Sequence, residues 1–380
     1  MTESIWITGI GLVSSLGEGP EIHRAALAGR APVVDDTSFA PYPIHPLPAL
    51  ELDRQIPKRG DQRQMEPWQR LGTYAAGLAL DQAGARGCVA DMHLVVAAGG
   101  GERDTALDEA VCAEIARLPA GEAGERLNAL LASGLRPTLF LAQLSNLLAG
   151  NISIVHGVTG SSRTLMGEEA AGADAVRIAA ARLAEGRGGI ALVGGAYVAG
   201  RWDMLLLHAA SGELRRGPWV PLAERPADGP GLVTGSAAAF LVLETETHAR
   251  GRGAGGLARL GPVRSGAARR TAEDTAEASA AALARDLPLR PGHVVLSGAS
   301  GAAAAGLAEA RFLAGLRAGG AAPGPVIHSA DLIGHAVEAG FPASLALATL
   351  AVAAGDAPQA LVTGFGAWRG EALALVEPVA

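Results

Sequence analysis

Lysine is almost absent from this chain, and its absence excludes two kinds of chemistry. Lys58 is the only lysine among the 380 residues, so nearly all cationic side chains are arginines. It lies in a polar stretch rich in proline and arginine, away from any glycine-rich loop and without the apolar pocket that activates a catalytic lysine. The sequence therefore contains no P-loop lysine, and we do not expect Schiff-base catalysis.

Cysteine, aromatic residues and positive charge are also scarce. Cys88 and Cys112 are the only cysteines, and they form neither a CxxC pair nor a disulfide framework, which is typical of a reduced, cytoplasmic protein. The net charge is -7 and aromatic residues make up 4% of the chain, so neither a basic nucleic-acid surface nor a base-stacking platform is expected. His328 and His335 match no zinc-binding spacing, and we predict no metal and no cofactor.

The sequence also lacks the signals of export and of membrane insertion. Its polar N-terminus has no basic segment of the kind that opens a signal peptide. The longest uncharged apolar stretch, residues 339–355, is interrupted by Pro342 and is short for a membrane span. We therefore expect a soluble protein of the cytoplasm.

Short apolar runs alternate with alanine-rich stretches along the chain. Glycine bounds most of the runs, as expected for strands buried on both faces. We predict strands at residues 5–10, 94–98, 190–193, 238–243, 294–296 and 360–363. We predict helices at residues 68–82, 168–184, 272–285, 303–316 and 342–354. This alternation indicates a layered α/β fold.

The same helix–strand–glycine unit occurs twice in each half of the chain, in the same order. The four units end in glycine-containing turns at residues 99–101, 194–195, 298–301 and 364–366. An internal duplication is the economical interpretation. We predict an N-terminal half at residues 1–247, with an insertion near residues 102–150, and a C-terminal half at residues 248–380 that begins in a polar, glycine-rich linker.

Generic motif searches point to no reaction. The chain contains no GxSxG elbow and no HExxH pair. Glu168 and Glu169 follow Gly167 at the start of an alanine-rich helix, where the helix dipole favours negative charge. Taken alone, this pair is an ordinary helix start.

Four segments in a fixed order resemble the β-ketoacyl-ACP synthases of the thiolase superfamily. They are the strand and turn at residues 5–17, the glycine-rich hairpin at residues 224–244, the helix start at residues 334–340, and the loop Gly364-Phe365-Gly366. The resemblance covers nearly the whole chain. It implies the thiolase fold, an internally duplicated α/β structure with five layers, αβαβα.

The chemistry of that family uses a cysteine nucleophile at a buried helix N-terminus, two histidines and a supporting lysine. By resemblance, the nucleophile position falls on Glu169, the first histidine position on Gly298 and the lysine position on Ala330. Of these catalytic residues, only the second histidine, His335, is kept. A family glutamate that follows the first histidine position is also kept, as Glu309. No catalytic residue of the family is therefore confirmed by the sequence. The resemblance further assigns Phe365 and Ser162 to the acyl pocket or its gate.

These substitutions bear directly on activity. A carboxylate is a weak nucleophile toward a thioester, and loss of the nucleophile, a histidine and the lysine together should abolish condensation. The resemblance therefore implies a non-condensing subunit, like the chain-length factors of type II polyketide systems, in fatty acid or polyketide biosynthesis. Two alternatives stay open: a malonyl-ACP decarboxylase, against which Gly298 counts, and an acyl-binding scaffold subunit.

The resemblance also implies partners. We expect a dimer, formed with an active ketosynthase or with a second copy, and contact with an acyl-carrier protein directly or through the partner. The interface strand should lie shortly before Glu169. Leucines at 139, 141, 144, 147 and 148 include helical spacings, and they predict either a stripe at that interface or an intramolecular core.

Two further expectations concern charged side chains. A buried carboxylate at Glu169 would need a hydrogen-bond donor beside it, from a backbone N–H or a side chain such as that of His335. Arg201, Arg215 and Arg216 are a candidate docking patch for an acidic carrier protein, although solvated surface charge is the simpler interpretation.

Overall fold

The computed structural model describes residues 3–101, 103–136, 139, 143–226 and 229–379. The strands within these ranges are β1 Ile5–Ser14, β2 Gly17–Glu18, β3 His93–Ala97, β4 Ser162–Leu165, β5 Ile190–Tyr197, β6 Ala237–Thr245, β7 Ala258–Gly266, β8 Val294–Ser297, β9 Val326–His328, β10 Ala360–Phe365 and β11 Glu371–Glu377. The α-helices are α1 Pro20–Leu27, α2 Arg59–Gln64, α3 Pro67–Gln82, α4 Thr105–Ile115, α5 Ala120–Gly134, α6 Leu147–His156, α7 Glu168–Ala184, α8 Trp202–Ala210, α9 Glu246–Gly251, α10 Ala276–Ala284, α11 Ala303–Ala318, α12 Ser329–Ile333 and α13 Gly340–Ala353.

Every strand and helix predicted from the sequence is present, and α7 has the predicted bounds. The sequence patterns did not predict β2, β4, β7, β9 and β11, nor helices α4 and α5 of 11 and 15 residues and several shorter helices. Strand β4 is a half-exposed edge of mixed polarity, and β7 contains glycine, proline and two arginines. Neither strand has the continuous apolar run by which a buried strand is recognised.

The sheet consists of two halves with the same strand order. Its order is β4-β3-β5-β6-β1-β7-β11-β10-β8-β9, with β2 paired to β1. Reading outward from the centre, β1, β6, β5, β3 and β4 correspond to β7, β11, β10, β8 and β9. The halves meet where Ile5, Trp6 and Ile7 pair antiparallel with Leu260, Arg259 and Ala258. This matching order confirms the predicted duplication.

The predicted domain boundary at residues 247 and 248 falls inside α9, which links β6 to β7. The predicted insertion contains α4, α5 and the first part of α6. Leu148 and Ile152 of α6 are fully buried against the outer core of the N-terminal half. The end of the insertion is thus part of that core, and the boundaries themselves stay predictions.

Helices α7 and α13 form the central layer of the fold. They contact each other and strands of both half-sheets. Residues 341–352 of α13 are all buried, which explains why this helix is apolar around its whole circumference. Helix α3 covers the outside of the N-terminal half-sheet, and α10 and α11 cover the outside of the other. The five layers, αβαβα, are those implied by the resemblance. No helix in the described ranges is long and apolar enough to cross a membrane.

Two glycines let β1 and α3 approach closely. A Cβ atom added at Gly11 would lie 1.8 Å from the carbonyl oxygen of Ala75, and one added at Gly9 would lie 2.5 Å from that of Ala79. Backbone atoms cannot rotate away as a flexible side chain can. The glycine-rich opening strand is therefore required by packing between strand and helix.

Replacing Gly11 with alanine should destabilise the fold strongly. The added methyl group overlaps the backbone of α3, so we expect Gly11→Ala to lower the free energy of unfolding by about 3 kcal/mol. Urea denaturation monitored by circular dichroism measures the change. The control is Gly124→Ala in α5, where an added Cβ meets nothing within 4 Å. Equal stability of the two variants would contradict the close approach of β1 and α3.

Candidate functional site

A small cavity at the N-terminal ends of α7 and α13 brings the predicted site residues together. Five of them line it: Glu169, Gly298, Ala330, His335 and Phe365. The cavity measures about 40 Å³, which is enough for water but not for an acyl chain. Buried Phe365 also contacts Phe312, with 5.9 Å between ring centroids.

The backbone turns sharply where α7 begins. Gly167 has a φ of 139° and Glu168 a φ of 55°, a value that residues with a side chain seldom adopt. Val337, which lines the same cavity, has a φ of 40°. Such backbone strain often occurs at functional sites. Here it directs Glu169 into the cavity, while Glu168 is directed toward Arg369, with 3.6 Å between its carboxylate and the guanidinium.

The Glu169 carboxylate has two partners on one oxygen. Its Oε1 lies 3.1 Å from Nε2 of His335, and the Ala367 N–H donates to the same atom over 3.1 Å. Its Oε2 has no hydrogen-bond partner among the described residues. A backbone donor is therefore present beside Glu169, and the His335 ring lies within ion-pair distance of the same oxygen without hydrogen-bond geometry. Burial works against ionisation, but His335 and the N–H groups outweigh it, and the pKa of Glu169 lies below its ordinary value.

His208 on α8 is a site residue that the sequence reading missed. Its ring is stacked on Trp368 at 5.5 Å and 4°, and it meets His335 edge-on at 6.5 Å. Neither ring nitrogen has a hydrogen-bond partner among the described residues. Burial lowers the pKa of His208 to about 4, with His335 acting in the same direction and Glu169 opposing, so the ring is neutral at pH 7. A lone histidine in a leucine-rich helix gives no sequence signal for this position.

Glu338 is a second buried carboxylate that the sequence reading missed. Burial and the nearby charge of Glu169 raise its pKa to about 7, although its own backbone N–H, His335 and Arg201 oppose the shift. Its Oε1 lies so close to Gly99 that a Cβ there would be 2.3 Å away. The sequence signal for this site residue was an acidic side chain within the otherwise apolar segment that follows His335. Within the described residues, no group of three or more histidine, cysteine or acidic side chains is arranged to hold a metal.

The first histidine position of the family is closed to any side chain. A Cβ added at Gly298 would lie 2.4 Å from the carbonyl oxygen of Thr363 and 3.2 Å from Cα of Gly364. The backbone of strand β10 therefore occupies the space that a side chain at this position would need. Restoring histidine at this position would require the backbone to shift.

Glu309, kept from the family pattern, is bound by hydroxyl groups. Ser297 Oγ donates to it over 2.7 Å, and the Thr363 hydroxyl also donates to it. His328 Nδ1 lies 2.9 Å from the same Ser297 oxygen. Burial raises the pKa of Glu309 despite these contacts. Ala330, at the position of the family lysine, is buried and supplies no charge.

The structure places other predicted site residues away from the cavity. Ser162, assigned to the acyl pocket by resemblance, is exposed on the edge strand β4 and does not line the central cavity. Its expected position is thus corrected to the sheet edge, because β4 is the outermost strand of its half-sheet. The strand that lies shortly before Glu169, where the resemblance implies an interface, is β4.

The candidate arginine patch does not form one surface. Arg201 is buried and bound to Asp203 and to the Gly101 carbonyl. Arg215 donates to the Pro218 carbonyl, and Arg216 lies 5.7 Å from the ring centroid of Tyr42. This placement corrects the suggestion that the three guanidinium groups act together.

The predicted leucine stripe is divided by burial. Leu139 and Leu148 are buried, whereas Leu144 is exposed. Leu147 is partly exposed, and Leu141 lies outside the described residues. The sequence left two interpretations of these leucines, an interface stripe or an intramolecular core. Leu148 belongs to the core.

Comparisons with known proteins agree on one family. The family model described as "Beta-ketoacyl synthase, N-terminal domain" matches residues 47–249. The 3-oxoacyl-[acyl-carrier-protein] synthase 2 of Vibrio cholerae is 28% identical over 301 residues, which cover 76% of this chain and 69% of that protein. The enzyme of the same name from Vibrio harveyi is equally similar.

Solved structures match over the full length. The ishigamide ketosynthase/chain length factor superposes with a TM-score of 0.80 at 20% identity, covering 100% of both chains. A β-ketoacyl synthase from Burkholderia phymatum superposes with a TM-score of 0.77 at 19% identity, again covering 100% of both chains. At this level of identity, the superpositions establish the fold.

Replacing Glu338 with glutamine should change how stability depends on pH. Because the folded pKa is raised from 4.5 to about 7, the wild type loses stability as pH rises through this interval. Glutamine has the same shape and no such charge. We expect Glu338→Gln to be more stable than the wild type at pH 8, by up to about 3 kcal/mol, and the difference to vanish near pH 4.5.

Chemical denaturation at a series of pH values measures this difference. Glu109→Gln, which removes an exposed carboxylate on α4, is the matched control and should parallel the wild type. A Glu338→Gln variant whose stability follows the wild-type pH profile would refute the assignment of a raised pKa.

Proposed function

The chain belongs to the β-ketoacyl synthase family, and we propose that within it this protein is a non-condensing, chain-length-factor-like subunit of fatty acid or polyketide biosynthesis. The observation that carries the proposal is the buried pair of Glu169 and His335 at the helix start where the family has its thiol. Cys88 lies in the turn Arg86–Cys88 and Cys112 in α4, and neither lines the central cavity. The site therefore has a carboxylate where condensation needs a thiolate.

The chemistry of the site supports this proposal at each step of condensation. Acyl transfer to Glu169 would produce an anhydride, and a carboxylate attacks a thioester poorly. An ionised Glu169 would repel the carboxylate of a malonyl group. The closed backbone at Gly298 supplies no imidazole to stabilise the developing oxyanion, and loss of one such donor typically costs about 10²–10³ in rate.

Pairing with an active ketosynthase is supported by an open sheet edge. Strand β4 pairs only with β3 among the described strands. The Leu94 N–H donates to the Ser161 carbonyl and the Ala98 N–H to the Leu165 carbonyl, so the N–H and C=O groups of Ser162 and Thr164 point outward. An edge with unpaired groups of this kind is a template for a strand of another chain.

Exposed apolar side chains add to this interaction surface. Ile154 on α6, Met166 after β4 and Leu206 on α8 are 72%, 65% and 63% exposed. Contiguous exposed apolar groups indicate interaction surfaces. Met166 directly follows β4, and Ile154 lies on a helix that contacts β4. The partner we propose is a ketosynthase that keeps cysteine at the nucleophile position and both histidines, with a homodimer as the alternative.

We place acyl-carrier recognition chiefly on that partner. One structural neighbour, AntDE:AntF, is described as a type II acyl-carrier protein in complex with its ketosynthase, and it superposes here with a TM-score of 0.77 at 16% identity. In this chain, Arg201 is committed to Asp203, and Arg215 to a backbone carbonyl. With a net charge of -7, the chain offers an acidic carrier little attraction.

Malonyl-ACP decarboxylation is a second candidate because His208 supplies another imidazole beside His335. That pair differs in position from the family pair, since the first family position is Gly298. The ionised Glu169 and the small cavity both disfavour binding of a malonyl group. The third candidate function is an acyl-binding scaffold subunit without turnover. It shares all the predictions of the leading proposal except control of chain length.

The purified chain should not condense acyl-ACP with malonyl-ACP. We also expect Glu169→Cys to stay inactive, because Gly298 leaves no room for the missing imidazole. Mass spectrometry of the carrier-bound products measures both reactions. The control is an active ketosynthase added to the same mixture. Condensation by the isolated chain would overturn the proposal, and acetyl-ACP formation that is lost in Glu169→Ala would establish the decarboxylase.

Blocking the edge of β4 should prevent pairing. Proline at position 164 removes an outward N–H without removing a hydrogen bond to β3, so we expect Thr164→Pro to abolish co-purification with the proposed ketosynthase partner. Thr164→Ala keeps the N–H and serves as the matched control. Size-exclusion chromatography with light scattering measures the assembly. Unchanged pairing of a folded Thr164→Pro chain would remove β4 from the interface.

A further inference from the structure

A second cavity lies beside the central one and has no part in the proposed function. It measures about 470 Å³ and is bounded by α11 on one side and the segment 222–226 on another. Ala299 is the one described residue that lines both cavities. A volume of this size is typical of small-molecule sites, whereas the central cavity, at about 40 Å³, is large enough only for water.

One face of α11 forms an apolar wall of this cavity. Ala303, Gly306, Ala310 and Leu313 follow one another at intervals of three or four residues, so they share a face of the helix. An added Cβ at Gly306 would meet nothing within 4 Å. Glycine inside a helix costs about 1 kcal/mol relative to alanine. At Gly306 the missing side chain leaves open space in a cavity wall.

The same face of α11 ends at Arg317, a cationic side chain. Arg317 lines the cavity, and its side chain has no hydrogen bond, ion pair or ring contact with any residue in the described part of the chain. Arg225, which also lines the cavity, is bound to the Val220 and Gly231 carbonyls and to Asp331. Arg317 is therefore the guanidinium available to a ligand.

The acidic residue in the lining does little to repel an anion. Glu309 already accepts hydrogen bonds from Ser297 and Thr363, and burial raises its pKa. His328, also in the lining, contacts Ser297. The remaining walls are mainly apolar: Leu222, Ala223, Pro226, Ala302 and Val326. The cavity thus combines an apolar interior with positive charge at the end of α11.

We propose that this cavity binds an amphipathic monoanion, an alkyl carboxylate whose chain lies along the small residues of α11 and whose carboxylate pairs with Arg317. This binding is separate from the proposed function, because it involves neither Glu169 nor the edge of β4. It can be measured on the full chain, alone or with its partner.

Isothermal titration with decanoate tests the apolar wall. Leucine at position 306 would occupy part of the cavity along α11, where the alkyl chain is proposed to lie, so we expect Gly306→Leu to weaken decanoate binding at least about tenfold. Gly315→Leu is the matched control, because Gly315 lies on the same helix, has equally open space at Cβ and does not line the cavity. Both variants should keep the thermal stability of the wild type, since leucine is the better helix former.

The charged end is tested with a second pair of variants. We expect Arg317→Gln to weaken decanoate binding about tenfold and to leave decanol binding unchanged. Arg311→Gln is the control, since Arg311 lies on the same helix but faces Glu277 at 3.5 Å. No saturable binding to the wild type, an unaffected Gly306→Leu variant, or decanol binding as tight as decanoate would each overturn the proposal.

Discussion

Two helices confined between two half-sheets determine where everything else in this molecule lies. Helices α7 and α13 are covered on opposite sides by strands of the two halves, so small and apolar residues dominate both. A helix packed on both faces cannot shift without disturbing the whole core. Its first turn is consequently held in a fixed position. The central cavity lies where these two first turns meet, which is why Glu169 and His335 are neighbours although 166 positions apart in sequence.

Two buried carboxylates near the first turns of α7 and α13 have pKa values shifted in opposite directions. Glu169 has His335 and the Ala367 N–H beside it, and it stays ionised. Glu338 has fewer compensating groups and feels the negative charge of Glu169, so it retains its proton to higher pH. Like charges in one buried site separate their titrations in this way. The charge of Glu169 is thus compensated at one of its two carboxylate oxygens, while Oε2 has no partner among the described residues.

The sequence predicted those parts of the structure that depend on local pattern. Continuous apolar runs marked the central strands, and the two acidic residues after Gly167 marked the start of α7 correctly. The resemblance assigned Glu169, Gly298 and His335 to one site, and all three line the central cavity. Strand β7 was missed because it is only partly buried and carries charge.

The parts that could not be predicted depend on contacts between distant segments. His208 joins the site only because α8 folds back over the loop that carries Trp368. Ser162 was expected in the pocket, yet the pairing of β4 with β3 turns it to the outside. The closure of the backbone at Gly298 is likewise invisible in sequence, where the substitution alone does not reveal that the Thr363 carbonyl has taken the space.

The two ends of the sheet differ, and the difference limits how large an assembly can become. At one end, β4 has four residues, and two of them, Ser162 and Thr164, present outward-facing N–H and C=O groups. At the other, β9 has three residues and runs at once into α12. If strands join through β4, the longer of the two described sheet edges of each chain is covered by the first association. Growth is then self-limiting, and the product is a closed pair instead of a fibre.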